Sequence, residues 1–142
     1  MDEFTSDEVL EQGKANAQAL FLVAIGYIKD RSLSVDDFWS FVGEKFTLGW
    51  EFLQGKGARE AIRMFALNMV SVGGTLESLS GDEAQAEAII TGWPSPDLMQ
   101  AFGVNRGDAD RSYAVFQPIA DLLGLRYEWC RQGDRVTLSL SQ

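Results

Sequence analysis

The chain contains no histidine. That excludes a His-based catalytic triad, a His-ligated zinc and a haem held by a proximal His. Cysteine is nearly absent too: Cys130 stands alone, so no internal disulfide can form and a disulfide-stapled secreted scaffold is excluded. Basic residues are few. Twelve Lys and Arg against twenty-one Asp and Glu leave a formal charge of −9, a sign that opposes the phosphates of nucleic acid and of anionic membranes. No long apolar run is present. The most apolar stretch, Ala19 to Ile28, has about half of the ~20 residues needed to span a bilayer, and it reads as a buried helical segment rather than a membrane span. The opening residues Met1-Asp2-Glu3-Phe4 are acidic where a secretory signal is basic, so the expected compartment is the cytoplasm, where a lone thiol stays reduced.

What the chain does have is enough apolar material for a core. Its 142 residues are 46% hydrophobic and 11% aromatic, which excludes general disorder. A chain of this length buries roughly two thirds of its unfolded surface and is expected to form a single domain over residues 1–142.

Thr5-Ser6-Asp7-Glu8 fits a capping box, with Phe4 and Val9 as a hydrophobic staple. Apolar positions at Val9, Gly13, Ala17, Leu20, Ala24 and Ile28, with Leu10, Phe21 and Ile25 beside them, predict a long first helix. Around Ala19–Ile28 it is apolar almost all round, as for a helix buried on several sides or packed on a partner chain. A second helix starts at Ser34, with Leu33 and Phe38 as staple, and its face Val35, Phe38, Trp39, Val42, Phe46, Trp50 and Leu53 carries it to Gly55. A third spans Ala58 to Val70, burying Ala58, Ile62, Phe65, Ala66 and Met69 and turning Arg59, Glu60 and Arg63 to water. Thr75–Leu79 and Glu87–Trp93 then read as a hairpin, the second strand with Ile89, Thr91 and Trp93 on one face. A short helix at Asp97–Phe102 follows. Another, capped by Asp108 or Asp110, carries Tyr113, Phe116, Ile119, Ala120 and Leu123, and Pro118 kinks or splits it. A final hairpin alternates Leu125, Tyr127, Trp129 and Val136, Leu138, Leu140 against polar neighbours around a Gln132-Gly133-Asp134 turn. The order α-α-α-β-β-α-α-β-β predicts an α+β fold, with N-terminal helices packed on a mostly antiparallel four-stranded sheet.

This order resembles the fold shared by haem nitric-oxide-binding domains, vinyl-reductase-type ligand-binding domains and Golgi transport-particle subunits. The closing stretch is similar to the end of vinyl-reductase-type domains: Leu122-Leu123-Gly124, then Glu128-Trp129-Cys130, Gly133-Asp134 and Val136–Leu140. The motif covers the last thirty residues or so, the element order the whole chain. That family usually has further cysteines near the last turn, and its haem branch needs a His; both are missing here, so no metal or haem role carries over. The resemblance implies a sensor or binding module, often dimeric, with an apolar cavity between helices and sheet.

The aromatics Trp39, Phe46, Trp50, Phe52, Tyr113, Phe116, Tyr127 and Trp129 form either the wall of an apolar ligand site or plain core. With Phe65 and Asn68 of the third helix, the candidate ligand-binding set is Trp39, Phe46, Trp50, Phe65, Asn68, Tyr113, Phe116, Tyr127 and Trp129. Asn68 either meets a ligand or bonds a neighbouring backbone group. Cys130 has no His as base, and Glu128 lies between it and Arg126 on their shared face, so a modest structural or surface thiol is its simpler reading. The acidic clusters at Asp2–Glu11, Asp36-Asp37, Asp82-Glu83 and Asp108–Asp110 could bind a divalent cation, yet helix starts and a turn account for them. Gly55-Lys56-Gly57 and Gly73-Gly74 lack the spacing of a phosphate loop. No catalytic residue, metal ligand or cofactor is assigned.

The expected function is non-catalytic binding of an apolar or amphipathic small molecule in a sensory or carrier role. Two alternatives remain: a His-free enzyme using carboxylates or Arg, such as a small hydrolase or isomerase, and an assembly module dimerising through its first helix. A binding domain requires a closed apolar cavity beside the second helix and last hairpin, an enzyme a cleft with a perturbed carboxylate. An assembly module requires a filled core and an apolar patch on the first helix.

Overall fold

A computed structural model describes residues 3–142. Helix α1 (Ser6–Asp30) is followed by α2 (Val35–Phe46), a 3₁₀ segment (Thr47–Leu53) and α3 (Gly57–Ser71). The hairpin β1 (Thr75–Gly81) and β2 (Gln85–Thr91) leads to α4 (Pro96–Phe102), α5 (Arg106–Asp110), a second 3₁₀ segment (Arg111–Val115) and α6 (Phe116–Leu123). Strands β3 (Arg126–Gln132) and β4 (Arg135–Ser141) close the chain. The strands form one antiparallel sheet in the order β1-β2-β4-β3, so the two hairpins join through β2 and β4. The α+β architecture is the one expected.

The capping box at Thr5 forms. The Glu8 amide donates to Thr5 Oγ1 at 3.2 Å, and the Glu8 carboxylate accepts from the Thr5 amide at 2.7 Å. Phe4 and Val9 do not close a buried staple; residues 3–13 all lie exposed, because the first turns of α1 run past the body of the fold. The buried stripe of α1 is Gln18, Leu22, Ile25 and Ile28, not the expected one through Leu20, which is 70% exposed. A segment apolar all round leaves its phase undetermined, and the neighbours choose it. The segment is also not enclosed on several sides: Leu20, Val23 and Tyr27 face outward.

Helix α2 stops at Phe46 rather than continuing to Gly55. In the 3₁₀ segment that follows, side chains three apart share a face, which turns Trp50 and Leu53 inward and leaves Leu48 and Phe52 outside. Gly43 is where α2 meets the second 3₁₀ segment and α6: a Cβ there would lie 2.6 Å from the Val115 carbonyl and 3.0 Å from Pro118. Helix α3 buries the residues expected of it. Strand β2 has the opposite phase to the expected one. Ala86, Ala88 and Ile90 point inward, facing Leu140, Leu138 and Val136 of β4. The doublet Ile89-Ile90 suits either phase, and Gly92, at φ +74°, ends the alternation so that Trp93 turns into the core from beyond the strand.

The helix expected around Pro118 is split, one of the two outcomes foreseen. Pro118 occupies the first turn of α6, where no amide hydrogen bond is lost. The cap of α5 is Asn105, not Asp108 or Asp110; its side chain accepts from the Asp108 amide at 2.8 Å. The two aspartates instead make ion pairs, Asp108 with Lys29 and Asp110 with Arg131.

The interior divides into two apolar clusters. The larger one lies between the inner sheet face, α3 and α6, and includes Phe65, Trp93, Tyr113, Phe116 and Leu138. The smaller joins α1, α2, α4 and α5 through Leu22, Ile25, Trp39, Met99 and Ala109. Val115 packs against both. Gln18 of α1 ties across the boundary: its amide donates to the Val72 carbonyl and accepts from the Ser95 amide, each at 2.9 Å.

Candidate functional site

A small cavity lies where the two clusters meet. Its wall comes from Phe21 of α1, Trp39 and Phe46 of α2, Trp50, Asn68 and Met69 of α3, Val72, Trp93, Ser112, Val115, and Phe116 and Ile119 of α6. A helix pair packed on one side and a sheet-based layer on the other meet through large, rigid rings, and rings of this size leave a gap where neither layer interdigitates fully. The cavity measures about 50 Å³. One water needs roughly 10–15 Å³ on this measure, and a site for a drug-sized ligand roughly 300 Å³ or more. The space therefore holds a few atoms, and a larger guest requires the wall to move. Phe46 is the wall residue placed to move, because it lines the cavity while 49% exposed to solvent.

Of the residues singled out from sequence, Trp39, Phe46, Trp50, Asn68 and Phe116 meet at this cavity. Asn68 commits one N–H of its side-chain amide to the Met64 carbonyl one turn back, at 3.2 Å. Phe65 forms the row behind, stacked on Phe116 at 4.3 Å and edge-on to Trp50 at 5.5 Å. Tyr113 lies between Trp93, at 5.6 Å, and Trp129, at 5.1 Å. Tyr127 and Trp129 are placed elsewhere: with Glu128, Cys130, Thr137 and Ser139 they border a separate open depression on the edge strand β3. The second 3₁₀ segment and α6 stand between the last hairpin and α2, so the hairpin supports the cavity without reaching it. Sequence reasoning missed Phe21, Met69, Val72, Trp93, Ser112, Val115 and Ile119. Phe21 was legible as part of an apolar stripe on α1; Trp93 was hidden by its reading as a strand residue.

Polar chemistry around the site is sparse. The indole N–H groups of Trp39 and Trp93, in side chains only 1% and 2% exposed, have no hydrogen-bond partner. Arg131 holds the Trp93 loop in place. Its guanidinium forks onto the Asp110 carboxylate at 2.6 and 2.7 Å and donates to the Trp93 carbonyl at 3.2 Å. Burial is the largest single influence on Arg131 and opposes its charge, but the hydrogen bond to Asp110 together with the attraction of Asp110, Tyr113 and Asp134 outweighs it, and the guanidinium is held more firmly protonated than usual.

Two buried phenols sit behind the site. The Tyr127 hydroxyl donates to the Tyr113 carbonyl at 3.0 Å, while the Tyr113 hydroxyl has no partner of normal geometry. Burial raises the pKa of both. A raised pKa in the folded state contributes stability that is complete below the unfolded value, near 10, and is lost as pH rises through the folded value. The protein is accordingly expected to lose stability progressively above about pH 10. Phenolate absorbance and circular dichroism followed together check this: Tyr113 and Tyr127 should ionise only as the fold is lost, and ionisation of all tyrosines in an intact fold would contradict it.

The remaining charged clusters are engaged in local structure. Asp82 accepts from the Ala84 and Gln85 amides, Asp36 pairs with Arg111, and Glu77 with Arg135. Asp2 lies outside the described residues. Beside the glycine-rich stretches, Arg59 donates to the Gly81 carbonyl and Arg63 pairs with Glu60. Cys130 is exposed, next to the Arg126–Glu128 pair. Among the described residues, no cluster of three or more His, Cys, Asp or Glu could hold a metal ion, and no helix is long and apolar enough to cross a membrane. Compared with protein-family models and with curated proteins, the chain matches none.

Proposed function

We propose that this chain is a non-catalytic binding domain for a small apolar or amphipathic molecule, acting as a sensor or carrier in the cytoplasm. The observation that carries the reading is the cavity at the boundary between the helix pair and the sheet layer, walled almost entirely by aromatic and aliphatic side chains. Ligand sites favour such boundaries, with mostly apolar walls and few polar groups. A guest that enters past Phe46 would bridge both clusters and report its presence by tightening one against the other. The resemblance to vinyl-reductase-type domains supports the same reading.

The test fills the cavity. Val115→Phe adds a ring at the one residue that both lines the space and packs on both clusters. Thermal unfolding is followed with a panel of small apolar compounds such as benzene, indole and short-chain alcohols. At a ligand concentration of 100 Kd the wild type is expected to gain about 2.7 kcal/mol by mass action. The folded Val115→Phe variant should gain nothing. Equal gains in both proteins would place binding elsewhere.

A second reading concerns assembly, and a specific observation favours it. Leu20, Val23 and Tyr27 form an outward stripe at i, i+3 and i+7 on α1, opposite the buried Leu22 and Ile25. A second copy of the chain can cover this stripe with its own, as a two-fold interface requires. Leu20→Glu, a change at a 70% exposed position that spares the core, should convert such a dimer to monomer in sedimentation. A dimer that survives it rejects this interface.

A further inference from the structure

Resting on the binding reading above, we infer that the ligand carries an uncharged hydrogen-bond acceptor oxygen, as in a ketone, aldehyde or ester, which takes the indole N–H of Trp39 and of Trp93. Both side chains line the same cavity, one from α2 in the smaller cluster and one from the loop after β2 in the larger. Both are all but fully buried, and both N–H donors lack a partner. An indole offers only a donor, and buried donors in native proteins are almost always satisfied. A carbonyl oxygen has two lone pairs and can accept from two donors at once. Such a ligand would match a polar atom to the two fully buried, unpaired N–H donors at the apolar wall and leave its hydrocarbon part against Phe116 and Ile119.

The charge of the acceptor follows from the wall. No Lys or Arg lines the cavity, and the nearby guanidinium of Arg131 is already committed to Asp110. A carboxylate moved there would be a buried charge without a counter-ion, which is strongly unfavourable. A neutral carbonyl meets the two donors without that penalty.

The experiment compares cyclopentanone, its hydrocarbon isostere methylenecyclopentane and the anion cyclopentanecarboxylate on the whole chain. Binding is titrated by proton–nitrogen spectra of the four tryptophan indoles, assigned with single Trp→Phe variants. Cyclopentanone is expected to bind at least tenfold more tightly than the other two, the order expected from one or two hydrogen bonds. It should also move the indole protons of Trp39 and Trp93 downfield, which methylenecyclopentane should not do. Trp39→Phe and Trp93→Phe should each remove most of the ketone's advantage while leaving hydrocarbon binding in place; if either variant fails to fold, the wild-type spectra decide alone. Equal affinity for ketone and hydrocarbon, with indole protons unmoved or shifted upfield over a neighbouring ring, overturns the inference but leaves the apolar cavity as a binding site. Tighter binding of the carboxylate overturns it as well. Binding of none of the three overturns the inference, and if no compound of the apolar panel stabilises the wild type either, it overturns the reading it rests on as well.

Discussion

Replacing Asp110 with alanine is expected to cost about 3–5 kcal/mol of stability. The carboxylate of Asp110 and the guanidinium of Arg131 are both largely removed from solvent, and two bonds of 2.6 and 2.7 Å join them. Without its partner the guanidinium remains a buried charge, and the loss is mainly that penalty rather than the worth of the pair. The same guanidinium donates to the Trp93 carbonyl and to the Gly133 carbonyl. The variant should therefore loosen the loop that places Trp93 in the cavity wall as well as weaken the fold. Chemical denaturation measures the first effect and the Trp93 indole resonance the second. A double replacement, Asp110→Leu with Arg131→Met, should recover most of the stability, because apolar substitutes for a buried ion pair are often neutral or better. A loss below about 1 kcal/mol for Asp110→Ala would mean that the pair behaves as a surface salt bridge.

Phe65→Ala is expected to cost a similar amount, about 3–5 kcal/mol. Phe65 is fully buried and touches Trp50, Phe116 and Tyr127 through ring contacts between 4.3 and 5.9 Å. Its removal leaves a hole directly behind the two cavity residues Trp50 and Phe116. The enlarged, dry space should accept benzene, as engineered apolar cavities do, and benzene at 100 Kd should return about 2.7 kcal/mol. Denaturation with and without benzene reads both numbers. A variant that loses little stability would show that the surrounding rings collapse into the space, and one that loses it without benzene rescue would separate the hole from the cavity.

How far the sequence could be read depended on whether polar residues marked one face of each element. In α3, Arg59, Glu60 and Arg63 mark the water side, and the buried face follows. In the last hairpin, strict alternation sets the register, and Tyr127↔Leu140 and Trp129↔Leu138 share the expected face. Helix α1 has no such markers between Ala19 and Ile28, so its phase was decided by Val72 and Ser95 meeting Gln18, contacts far apart in sequence. Strand β2 was misphased because alanines, weak as core signals, are its inward residues; small side chains suit the place where α3 crosses the sheet. The cavity was legible only in part. Aromatic density pointed to α2 and α6, but a gap between two layers is a property of their docking, and Trp93 joins it through a turn that no periodicity announces.

Native mass spectrometry of the purified protein, compared with its denatured mass and with an organic extract of the same sample, decides whether the cavity holds a guest. The expected result is an excess mass of one small molecule per chain that disappears on denaturation, a matching apolar compound in the extract, and loss of that mass in the Val115→Phe variant. A native mass equal to that of the bare chain, together with no uptake of any compound in the apolar panel, would contradict it and identify the cavity as a packing defect between two well-filled cores.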